Sequence, residues 1–310
     1  MSRYVLWRLV QFPLVLAVIY LITFLLVWVA PGDPFQKDEK PIDEMALQQM
    51  RRELHAETAW SFLAHYPAML MRGNFGPSFS NPERSVGELI SGGLKVSVTL
   101  GLFGLFLAVV GGVTLGTLAA VRRGGVLDWL SLALAVVGIS LPGFVSAAVL
   151  LMLFAVKWPI FSIGGWSHVG DIVLPAVAVA LGPMAYIARL TRVSMLDVLG
   201  QDYVRTARAK GLSRFQVVWR HCLRNAFLPV LSYLGPAAAA TMTGSFIVEQ
   251  VFNLPGLGQH FVNSVRNRDQ TLILGTVVVY SVLLLSLNLL VDLAYAWVDP
   301  RIEVGGGRRR

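Results

Sequence analysis

The run VSVTLGLFGLFLAVVGGVTLGTLAAV, Val96–Val121, decides the fold. It holds no Asp, Glu, Lys or Arg. As a helix rising about 1.5 Å per residue, it is long enough to cross a hydrocarbon core of about 30 Å. Five more runs of this kind accompany it: Leu9–Ala30, Trp129–Val156, Ile172–Ala188, Ala226–Val248 and Thr271–Val291. Lipid offers no partners for backbone N–H and C=O groups, so each run is expected to be helical. The short alternating strands of a β-barrel are absent from the pattern. The expected fold is therefore an all-α membrane protein with six transmembrane helices.

Bulk composition agrees. Of 310 residues, 55% are hydrophobic and only 14% charged, with a mean hydropathy of +0.63. Soluble domains carry about 25% charged residues. The deficit excludes a disordered, coiled-coil or DNA-binding chain and argues against a water-soluble enzyme. The net charge of +8 reads as basic loops on the cytoplasmic side of a membrane. Cys222 is the single cysteine, and His55, His65, His168, His221 and His260 are scattered. No zinc or other metal set is legible.

Lysine and arginine set the expected orientation. With Arg3 and Arg8 inside, the short cytoplasmic loops hold Arg122 and Arg123, the set from Arg189 to Arg224, and Arg301 with Arg308–Arg310. The outer side takes Lys157, Arg266, Arg268 and the long segment 31–95, whose seven basic and nine acidic residues weigh little in this rule. Both termini are expected in the cytoplasm. Leu9–Ala30 is too long for a signal-peptide core, and Val29-Ala30-Pro31 is a poor cleavage site, so an uncleaved first span is expected.

Two hydrophilic regions remain. Segment 31–95 is expected to form a small cap with an amphipathic helix near Asp43–Leu63. The inner region Arg189–Leu228 is too long for a plain turn. Within it, Tyr203–Lys210 reads as a short helix with Asp202 as N-terminal cap and Gly211 in the left-handed position after its end. Ser213 can cap a second helix, Arg214–Phe227, leading into Leu228-Pro229. Ala207 and Ala209 would let a partner surface approach closely, and Arg205, Arg208 and Lys210 supply charge. Two readings stand: an amphipathic helix held on anionic lipid, or a docking helix for a cytoplasmic protein.

The stretch Thr206-Ala207-Arg208-Ala209-Lys210-Gly211, with Leu228-Pro229 some seventeen residues on, resembles the "EAA" loop of ABC-importer permeases. Tyr203–Leu212 and Arg220-His221-Cys222-Leu223-Arg224-Asn225-Ala226 are similar to the oligopeptide/dipeptide/nickel permeases. Further matching motifs are Pro31-Gly32-Asp33-Pro34, Gly73–Ser78, Val248–Gly258, Asn267-Arg268-Asp269 and Asp299-Pro300-Arg301, so the likeness spans nearly the whole chain. Thr206 stands where the family name puts a glutamate. The resemblance implies a type I ABC-importer permease fold in a bacterial or archaeal inner membrane. It implies an N-terminal helix plus extracytoplasmic segment over 1–94, a permease domain over 95–298 with its coupling loop at 192–228, and a cytoplasmic tail, 299–310. Its partners would be a second homologous permease, two cytoplasmic ATPase subunits, an extracytoplasmic substrate-binding protein and the bilayer, with no nucleic acid. The chain would need no cofactor, ATP being bound by the partners. Tyr203, Arg205, Thr206, Ala207, Arg208, Ala209, Lys210, Gly211 and Pro229 would couple to the ATPases.

Glu249, Phe252, Asn253, Pro255, Gly256 and Gly258 are candidates for an outer gate. A carboxylate at a membrane edge needs water or a partner, so Glu249 is either a lining residue or a helix-end acid paired with Arg266 or Arg268. Pro255, Gly256 and Gly258 read as a tight, helix-free turn. Asp292 reads as an interfacial acid. Gly112 and Gly116 suggest close helix packing, while Leu141-Pro142-Gly143 and Pro183 are expected kinks. No P-loop and no H-E-x-x-H motif occurs. Gly138–Gly143 lacks the spacing of a nucleophile elbow, and no histidine lies in a charge-free run.

Three classes can be weighed: a transporter permease, a membrane enzyme, and a channel or scaffold. An enzyme would want paired acids or a metal site, and Asp33, Asp38, Glu39, Asp43 and Glu44 show no ligand spacing. A channel needs no organised inner loop. Co-purification of an ATPase separates the first class from the others.

Overall fold

The computed structural model describes residues 2–30, 45, 49, 52–54, 56, 58–80 and 84–298, with only the backbone given at 2–6, 8, 9, 244, 292 and 294–298. Expectations placed on Pro31–Pro34, on Asp38, Glu39, Asp43 and Glu44, on the side chains of Arg3, Arg8 and Asp292, and on 299–310 fall outside the described residues. Regular structure among the described residues is helical, with one isolated bridge, Pro77 to Ser85. The helices are α1 (Ser2–Val29), α2 (Ala59–Met71), α3 (Val86–Val121), α4 (Val126–Ser140), α5 (Gly143–Lys157), α6 (Val173–Leu199), α7 (Asp202–Ala209), α8 (Arg214–Ala226), α9 (Leu228–Val251), α10 (Leu257–Arg266) and α11 (Gln270–Val298).

Four stretches are long and apolar enough to cross a membrane alone: Val10–Val29, Val86–Val121, Val169–Leu199 and Gln270–Val291. Two bent pairs, α4 with α5 at 110° and α8 with α9 at 58°, raise the number to six if each counts as one span. The first bend falls at Leu141-Pro142-Gly143. Proline drives its predecessor out of the helical region, and Leu141 is extended at φ −83, ψ 126. At Pro183 α6 runs on without a break, with the proline buried inside. A membrane helix tolerates proline where neighbouring helices re-satisfy the freed backbone.

Helix ends overshoot the charge-free runs. α3 begins at Val86 and α6 continues through Arg189 and Arg192 to Leu199, so the loop expected from Arg189 starts only at Gly200. At Arg192 the charge is paired. Arg192 Nε and Nη2 donate to the two Asp128 carboxylate oxygens at 2.5 and 3.0 Å, and Gly124 N–H donates to the same carboxylate at 2.9 Å. A bidentate partner makes a charge tolerable inside a helix.

The chain divides into two units. The second comprises Val98–Leu254 with α11 from Leu287, and α6 is its axis, packed by α4, α5 and α9. Gly112 and Gly116 let α3 press on α6. A Cβ at Gly112 would lie 2.7 Å from Ile187 Cγ2 and 2.8 Å from Met184 O, and one at Gly116 would meet the Ala188 carbonyl and lie 2.7 Å from Thr191 Cβ. Small residues that let backbones approach are what membrane helix pairs use in place of the hydrophobic effect.

The first unit comprises the chain up to Ser97 and Pro255–Ser286. Its core is aromatic: Tyr20 and Phe24 of α1 pack on Phe62 and Tyr66 of α2, with Phe62 and Tyr66 stacked at 4.8 Å. The single helix expected near Asp43–Leu63 is instead interrupted. Arg52 and Glu53 are helical, Leu54 turns, and α2 starts afresh at Thr58, whose Oγ1 accepts from Ser61 N–H at 3.2 Å, and runs on to Met71. Tyr66 is fully buried, and its hydroxyl lies 3.1 Å from Phe75 O and 3.0 Å from Thr271 O, to which it donates. Burial pushes its phenol up, reinforced by Tyr20 and Asp269, so it stays a neutral donor. Tyr66→Phe should cost about 1–2 kcal/mol by stranding buried carbonyls, read as a melting temperature a few degrees lower in detergent.

Candidate functional site

The segment between α6 and α9 builds a short rigid projection. Gln201 is the residue before α7 and makes no side-chain cap; Asp202, expected as the cap, is the first helical residue. There its charge still favours the helix N-terminus, and it pairs with Arg205 at 3.7 Å on the open surface. Thr206 hydroxyl donates to Asp202 O at 3.0 Å. At the other end Lys210 closes the helix and Gly211 takes φ +79. Gly211 N–H donates to Arg208 O at 3.0 Å and Leu212 N–H to Ala207 O at 3.4 Å, which is a Schellman closure. Ser213 caps α8 as expected, exchanging bonds with Gln216.

Burial sorts the candidate coupling residues, together with Val204 of α7, into two groups. Val204 and Ala207 are buried against Met195, Val217, Cys222 and Ala226. Tyr203, Arg205, Thr206, Arg208, Ala209, Lys210, Gly211 and Pro229 are exposed. Tyr203 Oη accepts from Asn225 Nδ2 at 2.9 Å, tying α7 to α8. The small side chain of Ala207 faces inward, where α7 rests on its own scaffold. The apolar stripe that a lipid-lying helix would insert is already occupied, leaving a polar, cationic outer face.

Sequence reasoning missed two features here. α8 carries a π-helical turn, Val217–Cys222, between its α-helical ends. Its Phe215 and Trp219, stacked at 6.3 Å, are 74% and 65% exposed. The i, i+4 aromatic spacing was the available signal. Arg214 reaches back to the Val121 carbonyl, fastening α8 to the end of α3.

The second candidate region, Val248–Gly258, splits at Leu254. Glu249 and Phe252 are buried, and Asn253 is exposed at φ +49. Leu254 N–H donates to Glu249 O at 2.8 Å and Asn253 N–H to Gln250 O at 3.3 Å, so α9 also ends in a Schellman closure, with Asn standing where glycine is commonest. Gly164 packs on this corner, where a Cβ would meet the Phe252 carbonyl. From Pro255 onward the chain is not helix-free, as had been expected: Gly256 precedes α10, and Gly258 lies in its first turn. Leu257 N–H, one of the unpaired donors of that helix start, donates to Ser97 Oγ at 2.8 Å. Gly93 permits this contact, because a Cβ there would lie 2.9 Å from Leu257 N. Burial holds the His260 imidazole below its ordinary value, with the Arg84 charge adding to it. Arg266 and Arg268, the suggested partners of Glu249, are exposed.

A third cluster explains two motifs that had no assigned purpose. Asp269 is fully buried. Its Oδ2 accepts from Ser78 Oγ at 2.5 Å, Ser80 Oγ at 2.7 Å and Ser80 N–H at 3.0 Å, and its Oδ1 accepts from Thr271 Oγ1 at 3.0 Å and Leu272 N–H at 3.1 Å. Thr271 Oγ1 also lies 2.7 Å from Pro77 O. Asp269 thus caps α11 and binds the Gly73–Ser80 turn to it. No group of three His, Cys, Asp or Glu side chains placed to hold a metal ion is found among the described residues.

Long apolar helices thus carry, between α6 and α9, a short capped helix with a cationic outer face. The chain belongs to the family of binding-protein-dependent transport system inner membrane components, whose model matches residues 112–304. It is 43% identical over 305 residues to the dipeptide transport system permease protein DppB of Bacillus subtilis (strain 168), covering 98% of this chain and 99% of that one. It is 38% identical over 306 residues to the oligopeptide transport system permease protein OppB of Escherichia coli (strain K12), covering 98% and 100%. A crystal structure of an amino acid ABC transporter with histidines shares the fold at TM-score 0.52 and 17% identity, over 75% of this chain and 98% of that one. The chain is accordingly a permease subunit of a binding-protein-dependent transport system.

Proposed function

We propose that this subunit imports peptides or related small solutes as one half of a translocation pathway. Six spans would place both termini in the cytoplasm of a bacterium or archaeon, with 31–94 forming an extracytoplasmic segment, the permease domain spanning 95–298 and a tail after it. A second, homologous permease would complete the pathway. Two ATPases would bind inside and a substrate-binding protein outside, ATP being held by the ATPases alone.

One observation carries the coupling role: α7 is seated on its scaffold through Val204 and Ala207 while Arg205, Thr206, Arg208, Ala209 and Lys210 face away. A short helix closed at its C-terminal end by a Schellman motif moves as one piece, so displacement of the ATPases would reach α8 and the bend before Pro229 rather than dissipate in a loop. The Glu249–Gly258 region would serve the outer gate, because a corner packed through buried Glu249 and Phe252 can shift only as a body. The substrate class follows the relatives' names: this chain shares 36–43% identity with permeases named for dipeptides or oligopeptides.

The test has two parts. The tagged chain should bring down ATPases, and the assembly reconstituted with its binding protein should take up labelled dipeptides in an ATP-dependent manner. A cysteine replacing Arg208 in a Cys222→Ser background should resist impermeant thiol reagents on intact cells and react once the membrane is opened. Labelling of intact cells would reverse the orientation and remove the coupling role with it.

A further inference from the structure

We propose that a groove in the first unit holds an acyl chain of an anionic phospholipid, with the headgroup on Arg268. A cavity of about 350 Å³ is walled by Leu26 and Val27 of α1, Phe261 and Val265 of α10, and Ile273 and Val277 of α11, with Arg268 and Gln270 also in its lining. That volume is at the lower end of the range for small-molecule sites.

Its chemistry selects the occupant. The wall is apolar, and its one hydroxyl, Thr23 Oγ1, is spent on Ile19 O at 2.8 Å. A peptide laid there would lose water from its amides and find only Arg268 and Gln270 to replace it, at a cost of kilocalories for each group left over. An alkyl chain loses nothing. The supply suits it: Val10–Val29 has mean hydropathy 2.7 with 6% of its length buried, and Leu26 and Val29 are exposed, an apolar surface matched to lipid.

Charge selects the headgroup. Arg268 is exposed beside exposed Arg266 at the C-terminal end of α10. Its backbone sits at φ +56, closed by Arg268 N–H to Val265 O at 3.3 Å and Asp269 N–H to Ser264 O at 2.8 Å. Glycine would occupy that position at lower cost. An exposed arginine in a left-handed corner, lining an apolar groove beside an apolar helix, suits a phosphate that arrives with a lipid tail.

Native mass spectrometry of the protein, purified with the subunits that accompany it and offered phosphatidylglycerol or phosphatidylcholine, tests this. The parent should retain phosphatidylglycerol in preference. Arg268→Gly removes the charge while relieving the backbone, and should lose that preference at least about fivefold. Val265→Trp fills the groove and should lose both lipids. A photoreactive phenylalanine at Val265 should cross-link to lipid. Equal retention by parent and both variants, or cross-linking to a protein subunit or a peptide instead, would overturn the assignment. The readout is lipid, so it stands or falls separately from transport.

Discussion

Gly211→Val is expected to leave ATP hydrolysis running while solute uptake falls by about tenfold or more. Gly211 sits at φ +79, and a Cβ built there meets nothing within 4 Å. The penalty is therefore conformational rather than steric crowding by neighbours. A side chain in the left-handed region costs roughly 1–2 kcal/mol, and more when β-branched. About 1.4 kcal/mol is a factor of ten in a population or rate. Valine would force residue 211 to leave that region, breaking the bonds to Arg208 O and Ala207 O and freeing the end of α7 from Leu212. The ATPases would still close, but their displacement would be absorbed. Parallel assays of ATPase activity and uptake in proteoliposomes check this, with Gly211→Asn as the control that keeps both, since asparagine visits the left-handed region readily. Uptake at the parental rate by folded Gly211→Val protein would remove α7 from the coupling path.

Asp269→Ala is expected to be among the most damaging single changes in the first unit. It deletes the acceptor for Ser78, for both donors of Ser80, and for Thr271 and Leu272. Each stranded buried donor costs about 1–3 kcal/mol. Ser78 and Leu272 are buried, Thr271 keeps the Pro77 carbonyl as acceptor, and half-buried Ser80 can recover part of its loss from water, so the sum is about 3–5 kcal/mol. The turn Gly73–Ser80 should come away from the start of α11. That should appear as a melting temperature lower by about 10 °C and new protease cutting between residues 73 and 85. Asp269→Asn should lie between, because its one carbonyl oxygen cannot serve all the donors that two carboxylate oxygens hold. A melting curve within a degree of the parent would show that the carboxylate is dispensable.

The candidate site was partly readable. Gly211 and Ser213 were legible because helix ends are local: a left-handed residue or a hydroxyl cap is decided by a few neighbours. Asp202 was misplaced by one position, an ordinary ambiguity where acids suit both the cap and the first turn. The closures at Asn253 and Arg268 were not readable, since neither residue is the glycine that usually marks them. Nor was the direction of Ala207. Composition shows that a residue is small, and only packing shows which side is against it.

The sequence by itself determined that this is a helical membrane protein, where its apolar runs lie, and which short segment projects from them. Those properties follow from hydropathy and backbone hydrogen bonding, which act within one helix at a time. Tertiary structure alone decided that α6 continues through Arg192, that Pro183 leaves it unbroken, and that Asp269 joins two motifs nearly two hundred residues apart. Each of these turns on a partner distant in the chain. A charge or a proline is costly or harmless according to what meets it, and that meeting exists only once the helices have packed.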